Sequence, residues 1–230
     1  MSLRPLAVAV AVLGLFAAPA RADELIYLTD DAGAALFAEA ELTAPYFRLA
    51  SYLESEQILT FCGPASIAAV LNSLEIERPV PDRLYPYGLF TQNEIFTPEN
   101  QAVKPYPQVE HDGLVLTQLA QFFTNLGVKA EARHADEFTV EALREIIKTV
   151  LADPNKRLVA NYSRKPLGQQ GDGHISPVGA YDPDTDRVLV LDVAKYKYPP
   201  VWMTVADLYG AMATTDSGAG KQRGFVVVSK

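Results

Sequence analysis

The stretch Thr60–Leu74, TFCGPASIAAVLNSL, contains the only cysteine of this 230-residue chain. Apolar side chains recur at helical spacing after that cysteine, at Ile67, Val70, Leu71 and Leu74. Such spacing is typical of the buried face of a helix. Pro64 suits the first turn, because its missing N–H would have no partner there. The pattern therefore predicts a buried helix that begins at or just after Cys62.

Cys62 has two interpretations at this stage. A thiol at a helix N-terminus meets the positive end of the helix dipole and unpaired N–H groups, which lower the thiol pKa and favour a nucleophile. A free cysteine is also among the most frequently buried residue types, and it often only fills space in a core. The helix alone does not decide between them.

The N-terminus resembles an export signal. Arg4 is followed by an apolar run from Leu6 to Phe16 and by the small residues of APARA. This order of segments predicts a secretory signal peptide, residues 1–22, and a mature domain, residues 23–230, in the bacterial periplasm. An uncleaved membrane anchor is the alternative. With one cysteine, the chain cannot form an internal disulfide.

Composition excludes some functions. The chain is 49% hydrophobic and 21% charged, as expected for a globular domain. Its net charge of −8 argues against binding nucleic acid through a basic face. No further apolar run is long enough to cross a membrane.

Helical patterns come first along the chain and strand patterns follow. Amphipathic helices are predicted around Leu116–Phe123 and Val140–Val150, with a proline-punctuated surface segment, residues 79–107, before them. After Arg157, runs rich in β-branched residues alternate with turns such as DPDTD. This order predicts an α+β domain with an antiparallel sheet in its C-terminal part.

A catalytic cysteine needs a base, and the base needs an acceptor that orients it. His111 and His134 lie in polar surroundings, for which a solvated role is favoured. His174 instead opens the strand HISPVGAY, and Asp192 lies in the next strand, RVLVLDVA. If the intervening turn is centred on Pro183, the two side chains face each other across the hairpin. Asp192 bonded only to backbone is the alternative.

Three segments, FCGPASIAAVLNSL, GDGHISPVGAYDPDTDRVLVLDVAKYKYPPVWM and DSGAGKQRGFVVVSK, resemble the catalytic domain of phytochelatin synthase, especially its short bacterial forms. The resemblance extends from about residue 51 to residue 230. It implies a papain-like fold, with Cys62 as nucleophile, His174 as general base and acid, and Asp192 as the orienting group. It also implies an acyl-enzyme of γ-glutamylcysteine, formed from glutathione with loss of glycine.

The resemblance further implies a set of residues that bind the acyl group: Asn161, Gly173, Asp216 and Arg223. Asp216 suits the α-amine of a γ-glutamyl group, and Arg223 suits its α-carboxylate. The family has an oxyanion-stabilising glutamine six positions before the cysteine, where this chain has Glu56. An ionised carboxylate would repel an oxyanion, so Gln57 is the favoured donor, with the Cys62 backbone N–H as the alternative.

No cofactor is expected, and no residues have metal-ligand spacing in the sequence. A heavy metal such as cadmium would enter as a thiolate complex of glutathione. The resemblance also implies that hydrolysis of the acyl-enzyme would yield γ-glutamylcysteine, and that slower transfer to glutathione would yield a phytochelatin. A general cysteine peptidase and a non-catalytic periplasmic binder of metal or thiol are the rival functions. The oligomeric state stays open, with a homodimer as one option.

Overall fold

The computed structural model describes residues 24–230, so the predicted signal peptide lies outside the described residues. Within this range, no helix combines the length and the apolar character needed to cross a membrane. The α-helices are α1 (Asp31–Glu39), α2 (Ala44–Ala50), α3 (Cys62–Ser73), α4 (Pro98–Val103), α5 (Tyr106–Asp112), α6 (Leu116–Asn125), α7 (Val140–Ala152) and α8 (Val205–Met212). The strands are β1 (Ile26–Tyr27), β2 (Lys129–His134), β3 (Lys156–Ser163), β4 (Gly173–Asp182), β5 (Arg187–Val190), β6 (Val201–Thr204), β7 (Thr215–Asp216), β8 (Lys221–Gln222) and β9 (Gly224–Ser229).

Seven strands form one antiparallel sheet in the order β1-β6-β5-β4-β3-β9-β2, and β7 pairs with β8 in a separate hairpin. All of these strands except the short edge strand β1 come from the C-terminal half of the chain. The predicted α+β class is therefore confirmed. Both central strands, β3 and β4, are buried along nearly their whole length. Both faces of these strands are buried because helices cover both sides of the sheet, so the polar side chains in them need internal partners.

The two faces of the sheet carry different helices. One apolar cluster joins α3 and α6 to sheet residues such as Ile175 and Leu189. The other joins α7 and α8 to residues such as Leu158 and Val178. The sheet thus divides the core into two parts. Helix α3 packs on the same face as α6, near the start of β4.

Helix α3 is buried at all 12 of its positions. Its polar side chains therefore need internal partners. Ser66 Oγ donates to the carbonyl oxygen of Ile175 in β4, at 3.1 Å. Asn72 exchanges two hydrogen bonds with the backbone of Phe90, at 2.8 and 3.0 Å. The first bond holds the N-terminal part of α3 against β4, and the other two hold its C-terminal end against the segment that contains Phe90.

The segment from Pro79 to Pro107 is less exposed and more regular than the sequence predicted. It contains α4 and the start of α5, and it buries Phe90 and Ile95 in the core. Asn100 is also buried, and its amide donates to the carbonyl oxygen of Ile95. The prediction of a surface segment with little regular structure is therefore wrong in part, because the prolines gave no sign that apolar side chains between them are buried.

Candidate active site

Cys62 is the first residue of α3 and is only 9% exposed. The predicted helix start is therefore confirmed. The predicted decrease of the thiol pKa is not: burial and the nearby Glu56 raise the pKa of Cys62 to about 12. Backbone hydrogen bonds from Ile175 and Gly63 oppose this increase without overcoming it. The raised pKa favours a neutral thiol at rest, so this side chain could act as a nucleophile only after losing its proton.

A histidine lies beside this thiol. A ring nitrogen of His174, at the start of β4, lies within 4.8 Å of Cys62 Sγ. His174 Nε2 is 2.9 Å from Asp192 Oδ1. If Nε2 carries the proton and donates it to Asp192, Nδ1 is the unprotonated nitrogen, able to accept the thiol proton. The structure brings these three residues together, in the arrangement of nucleophile, base and orienting acid.

The contact between His174 and Asp192 does not arise from the predicted hairpin register. Asp182 pairs with Arg187 in β4 and β5, and a bulge shifts the register between Val178 and Ala180. Strand β5 ends at Val190, so Asp192 lies beyond the ladder. The prediction that His174 and Asp192 lie directly opposite each other across the two strands is therefore wrong. The chain that continues from β5 brings the carboxylate back to the histidine.

Asp192 has a second charged partner that the sequence analysis missed. Arg164 follows β3, is 2% exposed, and approaches both oxygens of Asp192 at 2.9 and 2.7 Å. Burial opposes ionisation of Asp192, but hydrogen bonds and charges from His174 and Arg164 hold its pKa below the ordinary value. Burial lowers the pKa of His174, against the opposing effect of Asp192. The resting pair is therefore a carboxylate and a neutral imidazole.

Glu56, and not Gln57, lies next to the Cys62 thiol. Glu56 is 5% exposed, and one of its carboxylate oxygens lies within 4.8 Å of both Cys62 Sγ and the His174 ring nitrogen. Gln57 is exposed, and its backbone N–H donates to Gln92. The sequence-based preference for Gln57 assumed a loop one residue shorter, and the structure does not have it.

Glu56, Cys62 and His174 also form a group of potential metal-binding side chains. Among residues 24–230, no other three such side chains lie this close together. The group was invisible in the sequence because its members are more than 100 positions apart at the extremes. The same three side chains are the thiol, the adjacent histidine and the adjacent acid of the candidate active site, so their closeness needs no metal ion to explain it.

A cavity of about 300 Å³ opens beside the thiol. It is lined by Cys62 and His174 and by all four predicted acyl-binding residues, Asn161, Gly173, Asp216 and Arg223. Asn161 pairs with Ile175 in the β3–β4 ladder, and Gly173 pairs with Ser163. The hairpin β7–β8 supplies Asp216. Residues from distant parts of the sequence therefore converge on one cavity.

One edge of the Arg223 guanidinium has few partners within the described residues. Nη1 donates to Thr214 Oγ1 and to the carbonyl oxygen of Thr215, at 3.0 and 2.7 Å. Nε is buried without a partner in the described residues, and Nη2 makes only a 3.5 Å contact with Asp172. A Cβ on Gly173 would lie 3.0 Å from Nη2, so the glycine leaves this edge open. An Nε and Nη2 edge matches the two oxygens of a carboxylate.

The other two histidines are separate from the cavity. His111 is exposed at the end of α5, as predicted. His134 is 7% exposed, and its Nδ1 is 2.6 Å from the carbonyl oxygen of Gln222. The predicted solvated role is therefore wrong for His134, because the edge strand β2 is covered by the chain around β8.

Comparisons with known proteins agree with this arrangement. The family model described as phytochelatin synthase matches residues 18–225. The chain is 33% identical over 187 residues to glutathione γ-glutamylcysteinyltransferase 3 of Lotus japonicus, covering 80% of this chain and 37% of that protein. It is 33% identical over 203 residues to the transferase 1 of Triticum aestivum, covering 86% and 39%. For the Schizosaccharomyces pombe transferase the identity is 28% over 183 residues, covering 80% and 43%.

The chain thus spans about two fifths of the length of these relatives. The matched region includes the start of α3, the β4 histidine and the cavity residues. The α+β architecture agrees with the papain-like fold of the family. With the model match covering most of the sequence, the chain belongs to the phytochelatin synthase family.

Proposed function

We propose that this protein is a thiol acyltransferase that acts on glutathione. The observation that supports it most directly is the cavity in which a thiol, its histidine base and an arginine with a free edge lie together. The family relationship supports the substrate, because the relatives are glutathione γ-glutamylcysteinyltransferases. Since the chain matches only part of those proteins, the activity is a proposal for this chain.

Binding of the γ-glutamyl group is the first step. The substrate α-carboxylate lies on the Nε and Nη2 edge of Arg223, and the α-amine lies near Asp216. Asn161, in the strand that pairs with β4 and β9, lines the cavity, and its amide contributes a polar contact to the substrate. This arrangement directs the carbonyl of the cysteinyl–glycine bond towards Cys62 Sγ.

Acylation follows. His174 Nδ1 accepts the thiol proton as Sγ attacks the carbonyl carbon, and then returns that proton to the departing glycine amine. Asp192 stabilises the imidazolium that forms between these two transfers. The pKa of Cys62, raised by burial, makes this coupled transfer necessary because no thiolate is available beforehand.

The acyl-enzyme is resolved by water or by a second glutathione. Water yields γ-glutamylcysteine, and glutathione yields a phytochelatin of two repeats. We propose that hydrolysis is the faster outcome. Cadmium participates, in this proposal, as a thiolate complex of glutathione. Export to the periplasm is a further proposal, based on residues 1–22, and a mature N-terminus at Asp23 in a periplasmic extract would support it.

The test is an assay of purified protein with glutathione, with and without cadmium, in which glycine release and product masses are followed. Cys62→Ser and His174→Ala are expected to abolish glycine release. His111→Ala is the matched control, because its imidazole is exposed and outside the cavity. Cleavage of ordinary peptides without glycine release from glutathione would instead favour a general cysteine peptidase. Tight glutathione binding without any turnover would favour a binding protein.

A further inference from the structure

The carboxyl group of Glu56 is unusual in its surroundings. Oε1 accepts a hydrogen bond from the hydroxyl of Tyr196. Oε2 is buried and has no hydrogen-bond partner in the described part of the chain. The side chain is 5% exposed and lies beside the reactive thiol of Cys62. A buried carboxyl oxygen without a donor costs much more as an anion than as a hydroxyl, and the hydroxyl can donate to a ligand that offers an acceptor.

No cation in the described residues pairs with this carboxyl group. The charged and titratable groups that influence it are Tyr196, Asp192, Arg164, Lys197, Cys62 and His174. Arg164, the buried cation of this set, is already engaged elsewhere, because its guanidinium contacts Asp192 and Gln169. Asp192 is ionised and repels a second negative charge. These contacts favour the uncharged form of Glu56.

Burial is also the largest cause of the raised pKa of Glu56. The hydrogen bond from Tyr196 and the charges of Arg164 and Lys197 act in the opposite direction. The direction of the pKa change therefore agrees with the geometry, in which Oε2 lacks any donor.

We propose that Glu56 works as a neutral carboxylic acid, and that its Oε2–H donates a hydrogen bond to the oxyanion formed when Cys62 attacks the substrate. This inference rests on the acyl transfer proposed above. It makes Glu56 a catalytic residue, because it contacts an atom that changes charge. The backbone N–H of Cys62, which has no intrahelical partner at the first position of α3, is the second donor.

The step balances without a proton leaving Glu56. As the bond between Sγ and carbon forms, the carbonyl π pair moves to oxygen, and the thiol proton moves to His174. Oε2–H then donates a hydrogen bond to the negative oxygen. When the tetrahedral intermediate collapses, the pair returns, the carbon–nitrogen bond breaks, and His174 delivers its proton to the glycine amine. An ionised Glu56 would repel the oxyanion instead.

The decisive measurement is kcat/KM for glycine release across the range of about pH 5 to 9. In the unsubstituted enzyme we expect a decline of about tenfold per pH unit above the pKa of Glu56, because its donor is lost on ionisation. Glu56→Gln keeps an N–H donor that does not titrate, so this decline should disappear. Glu56→Ala should be lower by about 10²-fold to 10³-fold on the acidic side of the profile. Glu54→Gln, an exposed neighbour with the same charge change, is the matched control and should keep the decline.

Tyr196→Phe provides a second test of the same group. The tyrosine hydrogen bond lowers the pKa of Glu56, so its removal should move the decline to higher pH. Infrared difference spectra between the unsubstituted protein and Glu56→Gln, recorded without substrate, should show a protonated carboxyl band. That band should vanish over the same pH range as the activity.

Two outcomes would overturn the inference. One is a decline that Glu56→Gln shares with the unsubstituted enzyme. The other is a carboxyl band that is absent at every pH where the enzyme turns over. Failure of the proposed function is distinguishable, because it would leave no glycine release to measure while the infrared titration still reports the state of Glu56.

Discussion

Replacement of Arg164 by methionine tests how the buried Asp192 carboxylate is kept ionised. Arg164 is 2% exposed, Asp192 is fully buried, and the two groups make contacts at 2.9 and 2.7 Å. Removing one partner of such a pair leaves an uncompensated buried charge, which costs about 3–5 kcal/mol of unfolding free energy. A domain of this size has about 5–15 kcal/mol in total. The variant should therefore fold with a much reduced urea midpoint.

The double variant Arg164→Met with Asp192→Asn shows whether the cost comes from the lone charge. Both charges are then absent, so the double variant should be less destabilised than the sum of the single variants, by about 2–3 kcal/mol. Lys165→Met is the matched control, since its ion pair with Asp172 at 2.6 Å is exposed and should contribute about 1 kcal/mol or less. Urea unfolding followed by circular dichroism gives all four free energies. Additive effects, or an Arg164→Met cost similar to that of Lys165→Met, would refute the reasoning.

Three further predictions concern the thiol, the cavity and acid stability. Iodoacetamide should label Cys62 of the free enzyme slowly at neutral pH and faster as the pH approaches its raised pKa of about 12, and fast labelling at mildly acidic pH would contradict this. Gly173→Ala places a Cβ 3.0 Å from Arg223 Nη2, so the KM for glutathione should increase several-fold with little change in melting temperature; an unchanged KM would disprove the proposed carboxylate edge. Because the folded-state pKa of Asp192 lies below its ordinary value, its ionisation contributes stability above about pH 4 that is lost as the pH decreases. Asp192→Asn should make acid unfolding less steep in a pH series of urea midpoints, and an unchanged slope would count against this assignment.

Local patterns in the sequence predicted those features that depend on neighbouring residues, namely the start of a helix and the presence of strands. The helix after Cys62 follows from apolar spacing and from Pro64, and the structure begins α3 at that cysteine. The antiparallel sheet follows from β-branched runs separated by turns. Asn161, Gly173, Asp216 and Arg223 were placed by family resemblance, and the cavity brings them together.

Contacts between segments that are distant in sequence could not be predicted from local sequence patterns. Tyr196 donates to Glu56 from 140 positions away, and Arg164 reaches Asp192 across 28 positions. The bulge between Val178 and Ala180 shifts the β4–β5 register, so a constant-sum rule fails there. A charged residue directly after an apolar strand, as in the sequence VANYSR, was the one available signal for Arg164.

Two buried acids near one thiol can have different charges because they have different numbers of hydrogen-bonding and cationic partners. The Asp192 carboxylate contacts Arg164, His174 and the backbone N–H of Ala194. These partners lower its pKa, so it stays ionised. Among residues 24–230, the Glu56 carboxyl group accepts a hydrogen bond only from the hydroxyl of Tyr196, and burial raises its pKa. Pairs of acids whose pKa values are separated by their surroundings commonly take different roles in catalysis. In the proposed mechanism, the ionised acid stabilises the histidine that gains a proton, and the neutral acid donates a hydrogen bond to the oxygen that gains an electron pair.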